Sequence, residues 1–142
     1  MNWEPWTGCY KVSEGCTNCY FYGPHAKRYG QNTIEKTDKF DWAIRKNLKG
    51  EYNIKGDKII PTCFATDFFL PEADEWRKEV WGMIKERQDI EFLILTKRID
   101  RFLVSLPDDW GKGYDNVNIG CTVENQELAD YRLPLFLSYP IK

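Results

Sequence analysis

The chain has 142 residues, of which 42% are hydrophobic and 30% charged, with a formal net charge of -2. That make-up excludes a disordered chain and predicts one globular domain over residues 1–142 with a core of its own. No apolar run approaches the roughly 20 residues that cross a bilayer, the start Met1-Asn2-Trp3-Glu4-Pro5 lacks the basic and apolar regions of a signal peptide, and no global basic field marks a nonspecific nucleic-acid binder; the expectation is a cytoplasmic protein without a membrane partner.

In chain order, a short aromatic segment from Trp3 to Trp6 leads into a loop over residues 7–20 that carries Cys9, Cys16 and Cys19 in a C-x6-C-x2-C pattern. The next cysteine is Cys63. Three thiolates without a fourth cysteine nearby suit a metal centre that keeps one coordination position open. The total of five cysteines is odd, and in a reducing compartment they read as ligands or buried thiols sooner than as disulfides. A helix is expected from about Phe21, so that backbone amides face an anionic centre. His25, six residues beyond Cys19, supports a competing reading in which Cys9, Cys16, Cys19 and His25 close a structural zinc site in a non-catalytic module that binds nucleic acid or protein. A redox disulfide between Cys16 and Cys19 would leave Cys9 without a role.

Lys36, Lys39, Arg45, Lys46, Lys49, Lys55 and Lys58 form a scattered basic stretch that reads first as a solvated face and second as a phosphate contact. Residues 58–65 read as a strand, with Pro61 removing one ladder donor. A helix opened by Asp67 and Pro71 follows. Its apolar positions are Trp76, Val80, Met83 and Ile84, and its ends carry Glu72, Asp74 and Glu75, then Lys85 and Arg87, as the helix dipole prefers. Residues 91–96 are apolar enough for a strand covered on both faces. A short helix through Phe102, Leu103 and Leu106 stops at Pro107, and Val117, Ile119, Cys121 and Val123 mark a third strand. Residues 127–137 form a final helical pattern interrupted at Pro134, with an apolar face through Leu128, Tyr131, Leu135 and Phe136. Cys63 and Cys121, inside apolar strands, read as buried thiols. Trp76 belongs to the core, whereas Trp3, Trp6, Trp42 and Trp110 lie in irregular segments where base stacking competes with packing.

Strands alternating with helices predict an α/β fold of parallel βα units. In such folds the working residues gather at the carboxyl ends of the strands. Here those ends read Thr66-Asp67, Thr96-Lys97-Arg98 and Thr122-Val123-Glu124-Asn125-Gln126. Helix capping accounts for a Thr, Asp or Asn at any one of these positions. Two cations at a helix start oppose the dipole, so Lys97 and Arg98 point to an anionic ligand.

The motifs Trp3-x-Pro5-x-Thr7-Gly8-Cys9-x-Lys11-x-Ser13-x-Gly15-Cys16-x-x-Cys19-Tyr20, Ala65-Thr66-Asp67-Phe68-Phe69, Ile94-Leu95-Thr96-Lys97-Arg98, Asn116-Val117-x-Ile119-Gly120-x-Thr122-Val123-Glu124-Asn125-Gln126 and Arg132-x-Pro134-Leu135 together resemble an uncharacterised phage and prophage family, that of gene products thirty-seven and sixty-eight. The likeness runs in order over nearly the whole chain. That family looks like a radical S-adenosylmethionine (SAM) group related in pattern to spore photoproduct lyase. The resemblance implies a partial (β/α) barrel of three to four βα units and a [4Fe-4S] cluster on Cys9, Cys16 and Cys19, with SAM chelating the open iron. It implies reductive cleavage of SAM and hydrogen abstraction from an unknown substrate, with a nucleic acid or nucleotide suggested by analogy. By position, Thr66 and Asp67 would meet the SAM amino group, Lys97 or Arg98 its carboxylate, and Glu124 or Asn125 its ribose or a substrate. Two features depart from the radical SAM pattern. The first cysteine gap is six residues instead of three, and Asn18 stands where an aromatic normally touches adenine, which passes that contact to Tyr20. Family members also continue past Tyr139-Pro140-Ile141-Lys142 with a further strand. The chain is therefore expected to be the amino-terminal part of a barrel, with a sheet edge and face that a second copy or a C-terminal half would cover.

Overall fold

In the computed structural model, which describes residues 2–23 and 33–141, the amino-terminal aromatic segment pairs twice. β1 (Trp6–Thr7) runs antiparallel to β2 (Glu35–Lys36), with Trp6 opposite Lys36. Just before it, Trp3 forms a parallel bridge to Thr62: its N–H donates to the Pro61 carbonyl at 2.9 Å, and its own carbonyl accepts from the Cys63 N–H at 3.0 Å. These bonds bring the start of the cysteine loop to the end of the strand that stops at Thr62.

That strand is β3 (Lys58–Thr62), and with β4 (Ile90–Thr96) and β5 (Val117–Cys121) it forms a parallel sheet in the order β3-β4-β5. Ile60 lies opposite Phe92 and Phe92 opposite Val117, while Thr62, Ile94 and Ile119 form the next row. Parallel strands need long crossovers. The first contains α1 (Asp74–Glu86), preceded by a 3-10 turn at Pro71–Ala73. The second holds two 3-10 turns, Ile99–Arg101 and Leu103–Ser105, in place of the expected short helix. α2 (Gln126–Ser138) follows β5 and continues through Pro134 without the expected interruption. β3 is shorter than the predicted 58–65 because Cys63 takes a φ of 58°, in the left-handed region, which ends the extended run. The Pro61 carbonyl faces Trp3. Backbone N–H and carbonyl of one strand residue point the same way, so the missing proline donor faces outward and no β4 bond is lost.

One sheet face is the core. Ile60, Phe92, Ile94, Val117 and Ile119 are buried there, and α1 packs Val80, Trp81 and Ile84 into the same cluster. The other face is open: Ile59 is 62% and Leu95 41% exposed, so β4 is not covered on both sides among the described residues. This corrects the reading of β4 as doubly covered. Among the tryptophans, Trp76 packs at the edge of the core as expected. Trp3, Trp6 and Trp110 are buried, which removes them as base-stacking surfaces. Trp81 takes the central core position, 4.8 Å from Phe68 and 5.2 Å from Trp110 between ring centroids, whereas Trp76 is only half-buried beside Trp6.

Arg77 and Arg87 are buried, not surface partners of a helix end. Each satisfies its guanidinium with carbonyls and a carboxylate, as a buried five-donor group must. Arg77 donates to Phe68 O at 2.6 Å and Asp74 Oδ1 at 2.6 Å. Arg87 donates to Ile54 O at 2.7 Å and to both oxygens of Asp89, and so ties the 43–54 region to the end of α1. On α2, Tyr131 is 55% exposed, so the apolar face predicted through it is broken there. The architecture is mixed α/β with a three-stranded parallel sheet, and the strands close no barrel among the described residues. Where a helix is expected from Phe21, the described residues hold a 3-10 turn at Tyr20–Tyr22 that ends at Gly23; residues 24–32, with His25, lie outside the described residues.

Candidate functional site

The cysteine loop crosses the carboxyl ends of all three parallel strands. Cys9, Cys16, Cys19 and Tyr20 line one cavity of about 330 Å³ together with Thr66 and Asp67 after β3, Lys97 and Arg98 after β4, and Thr122 after β5. Leu95 also lines it, so part of the open sheet face is continuous with this cavity. No disulfide joins the five cysteines.

Gly8 sets the loop's starting direction. Its φ is 87°, and a Cβ there would collide with the Thr33 backbone, so both conformation and space call for glycine. The Thr66 hydroxyl donates to the Gly8 carbonyl, and the Tyr22 hydroxyl donates to the Cys9 carbonyl at 2.9 Å. From the β4 side, Arg98 donates to the Tyr10 carbonyl at 2.8 Å and places both terminal nitrogens 3.9 Å from Cys9 Sγ. It pairs with Asp67 at 3.1 Å. The Asp67 carboxylate is itself fully engaged: Oδ1 accepts from Thr96 Oγ1 and Phe69 N, and Oδ2 from Lys97 N and Arg98. From the β5 side, Glu124 accepts from Ser13 at 2.8 Å and from the buried Arg132 at 2.9 Å, with Lys97 Nζ 3.8 Å away. Gly15 packs so tightly on Glu124 that a Cβ would overlap it.

These contacts sort the expected site residues into two groups. Thr66, Asp67, Lys97, Arg98, Tyr20 and the three cysteines share one cavity. Arg98 and Glu124 grip the cysteine loop itself, and Asp67 holds Arg98 in place. Asn125 does not line the cavity: its side chain caps α2, accepting from Leu128 N at 2.9 Å, and its amide donates to Glu14 of the cysteine loop at 3.5 Å. Sequence reading did not single out Ser13 and Arg132 as working residues, although both stand in the quoted motifs. A serine three residues before Cys16 and an arginine inside an otherwise apolar helix face were the available signals.

The electrostatics of the thiols are unequal. Burial pushes the Cys9 thiol up, and the Arg98 guanidinium opposes that only in part. Burial acts on Cys16 in the same direction, but backbone hydrogen bonds from Val12 and Ser13, the Ser13 hydroxyl and the Lys97 charge outweigh it and hold this thiol below its ordinary value. Cys63, wholly buried, is pushed far up by burial and stays a thiol.

A single zinc ion takes each thiolate sulfur at about 2.3 Å, which draws the sulfurs together around one point. Among the described residues no group of three His, Cys, Asp or Glu side chains converges in that way. His25, the fourth donor of the zinc alternative, lies outside the described residues. Cys9, Cys16 and Cys19 lie on one cavity wall, Cys16 with a depressed thiol and Cys9 beside a guanidinium, so three sulfur donors stand open to a metal centre. No helix among the described residues is long and apolar enough to cross a membrane.

A family model described as a protein of unknown function (DUF5131) matches residues 1–142. No curated protein and no solved structure matches the chain.

Proposed function

The chain belongs to this DUF5131 family, and we propose that it is an iron-sulfur protein of radical SAM type, of the phage and prophage group its motifs resemble, built on part of a (β/α) barrel. The observation that carries the reading is the cavity in which Cys9, Cys16 and Cys19 meet polar residues from the carboxyl ends of three consecutive parallel strands. Cys9, Cys16 and Cys19 hold the [4Fe-4S] cluster. With SAM bound, such a cluster supplies reductive cleavage of the sulfonium and hydrogen abstraction from a substrate.

The protein's own residues divide the remaining work. Lys97, 28% exposed at its side chain and with its nearest carboxylate 3.8 Å away, presents an ammonium group to an anionic ligand and is the better candidate for the SAM carboxylate. Arg98 is held by Asp67 and Tyr10, so it orients the Cys9 segment and offsets thiolate charge. Thr66 fixes Gly8, and Tyr20 offers an aromatic face, 58% exposed, for adenine. Glu124 acts by holding the loop at Ser13, Asp67 by holding Arg98, and Asn125 by capping α2. A nucleic acid or nucleotide is the substrate class, the cytoplasm the compartment, and a second copy the cover for the open sheet face.

The test is anaerobic reconstitution with iron and sulfide, followed by SAM and a low-potential reductant. Deoxyadenosine should form with the wild-type chain and not with Cys9→Ala, Cys16→Ala or Cys19→Ala. A fully loaded cluster that never cleaves SAM would overturn the proposal.

A further inference from the structure

Behind the cysteine cavity, on the other side of Ala65, lies a hollow of about 800 Å³ whose wall includes Glu4 and Trp6. Glu4 Oε1 accepts from two consecutive backbone donors, Phe64 N and Ala65 N, each at 3.0 Å. Its second oxygen, Oε2, is buried without a hydrogen-bond partner. The Ala65 N–H and the Phe64 carbonyl are two ends of one peptide group. That carbonyl accepts the Tyr20 hydroxyl at 2.5 Å, and Tyr20 lines the cysteine cavity. A continuous line of hydrogen bonds therefore runs from a carboxyl outside the cavity, through a single peptide, to an aromatic side chain inside it.

We propose that Glu4 is a positioning residue for the cysteine cavity, acting through the Phe64–Ala65 peptide to set the Tyr20 ring according to whether its carboxyl is ionised. The physical basis is polarisation. An ionised carboxylate makes stronger, charge-assisted bonds to the two amides, and pulling on the Ala65 N–H makes the Phe64 carbonyl a better acceptor for Tyr20. The protonated carboxyl pulls less, and Tyr20 is held less firmly. Glu4 is poised to change state in the neutral range, because burial raises its carboxyl to about 7 despite the two amides and Lys39, which act to lower it. Among the described residues, Tyr20 on the cysteine loop and Cys63 after β3 sense it, and Glu35, Lys36, Asp38 and Lys39 share the wall of its hollow. The relay holds whichever metal the thiolates carry, so its failure leaves the proposed function untouched.

The measurement is NMR of the full chain with labelled tyrosine rings and backbone amides, from pH 5 to 8.5. In the wild type, the Phe64 and Ala65 amides and the Tyr20 ring should shift together with one midpoint of about 7. Glu4→Gln should abolish that step at all three places while leaving other titrations unchanged. Tyr20→Phe should keep the amide step, since it lies on the far side of the peptide. A Tyr20 ring that is flat across this range in the wild type, or that titrates identically in Glu4→Gln, overturns the relay. A purely structural Glu4 would still shift the two amides it is bonded to and would leave the Tyr20 ring flat.

Discussion

Replacing Glu4 with Gln should make the protein's stability less sensitive to pH. The side chain keeps its shape and an acceptor for the Phe64 and Ala65 amides, but it loses the capacity to ionise. A carboxyl held at about 7 instead of 4.5 is one whose charged form the fold disfavours by about 3 kcal/mol, at about 1.4 kcal/mol per tenfold change in acidity. The folded value lies above the unfolded one, so the native state carries the extra proton between them. Its stabilising effect is complete below about 4.5 and is lost as pH rises through about 7. In the wild type this drains about 3 kcal/mol between pH 4.5 and pH 8; in Glu4→Gln it drains nothing. Urea unfolding of both proteins in reductant at half-unit pH steps gives the difference curve. The new amide N–H₂ in place of buried Oε2 adds a constant offset, so the slope carries the test. Stability of the variant relative to wild type should climb steadily from about pH 4.5 and level off above about 7. A flat difference curve, or one that rises toward acid, would refute the burial of Glu4 as the cause of its raised value.

Three other substitutions probe the grip on the cysteine loop. Gly15→Ala should destabilise by about 1–3 kcal/mol through overlap with Glu124, and most of that loss should vanish in a Glu124→Ala background, which a double-mutant cycle by chemical denaturation reads directly. Arg98→Ala leaves the buried Asp67 without its cation and should cost about 3–5 kcal/mol. It also removes the charge that favours the Cys9 thiolate, so alkylation of Cys9, followed by mass spectrometry at fixed pH, should slow. Asn125→Ala removes the α2 cap and should cost about 1 kcal/mol, with no change in iron content after reconstitution; a change in iron would place Asn125 at the cavity instead.

The parallel strands and α1 were legible because their signals are local: β4 carries an unbroken apolar run and α1 a helical spacing with charges matched to its ends. What escaped depends on distant contacts. Trp81 reads as a neighbour of Val80 in the sequence, yet its place in the core is set by Phe68 and Trp110. Arg87 looked like a helix-end cation until the carbonyls of the 43–54 region closed around it. The end of β3 was misplaced because Cys63 adopts a left-handed φ that no cysteine announces. At the site, the cysteine spacing and the strand-end residues were readable from residue types alone. Asp67, Glu124 and Asn125 read from the sequence as ligand contacts, and the sequence does not show which protein groups they also engage. Those groups include Arg98, Arg132 and the Leu128 amide. Glu4 gave no signal at all, since its partners are backbone amides sixty residues away.

The central claim is that three cysteines hold an iron-sulfur cluster. Iron, acid-labile sulfide and zinc per chain, determined on protein purified and reconstituted without oxygen, test it most directly. About four iron and four sulfide per chain should be found, and single Ala variants of Cys9, Cys16 or Cys19 should lose them while Cys63→Ala and Cys121→Ala do not. A colourless protein with one tightly held zinc and no sulfide, or iron binding indifferent to the three cysteines, would contradict it.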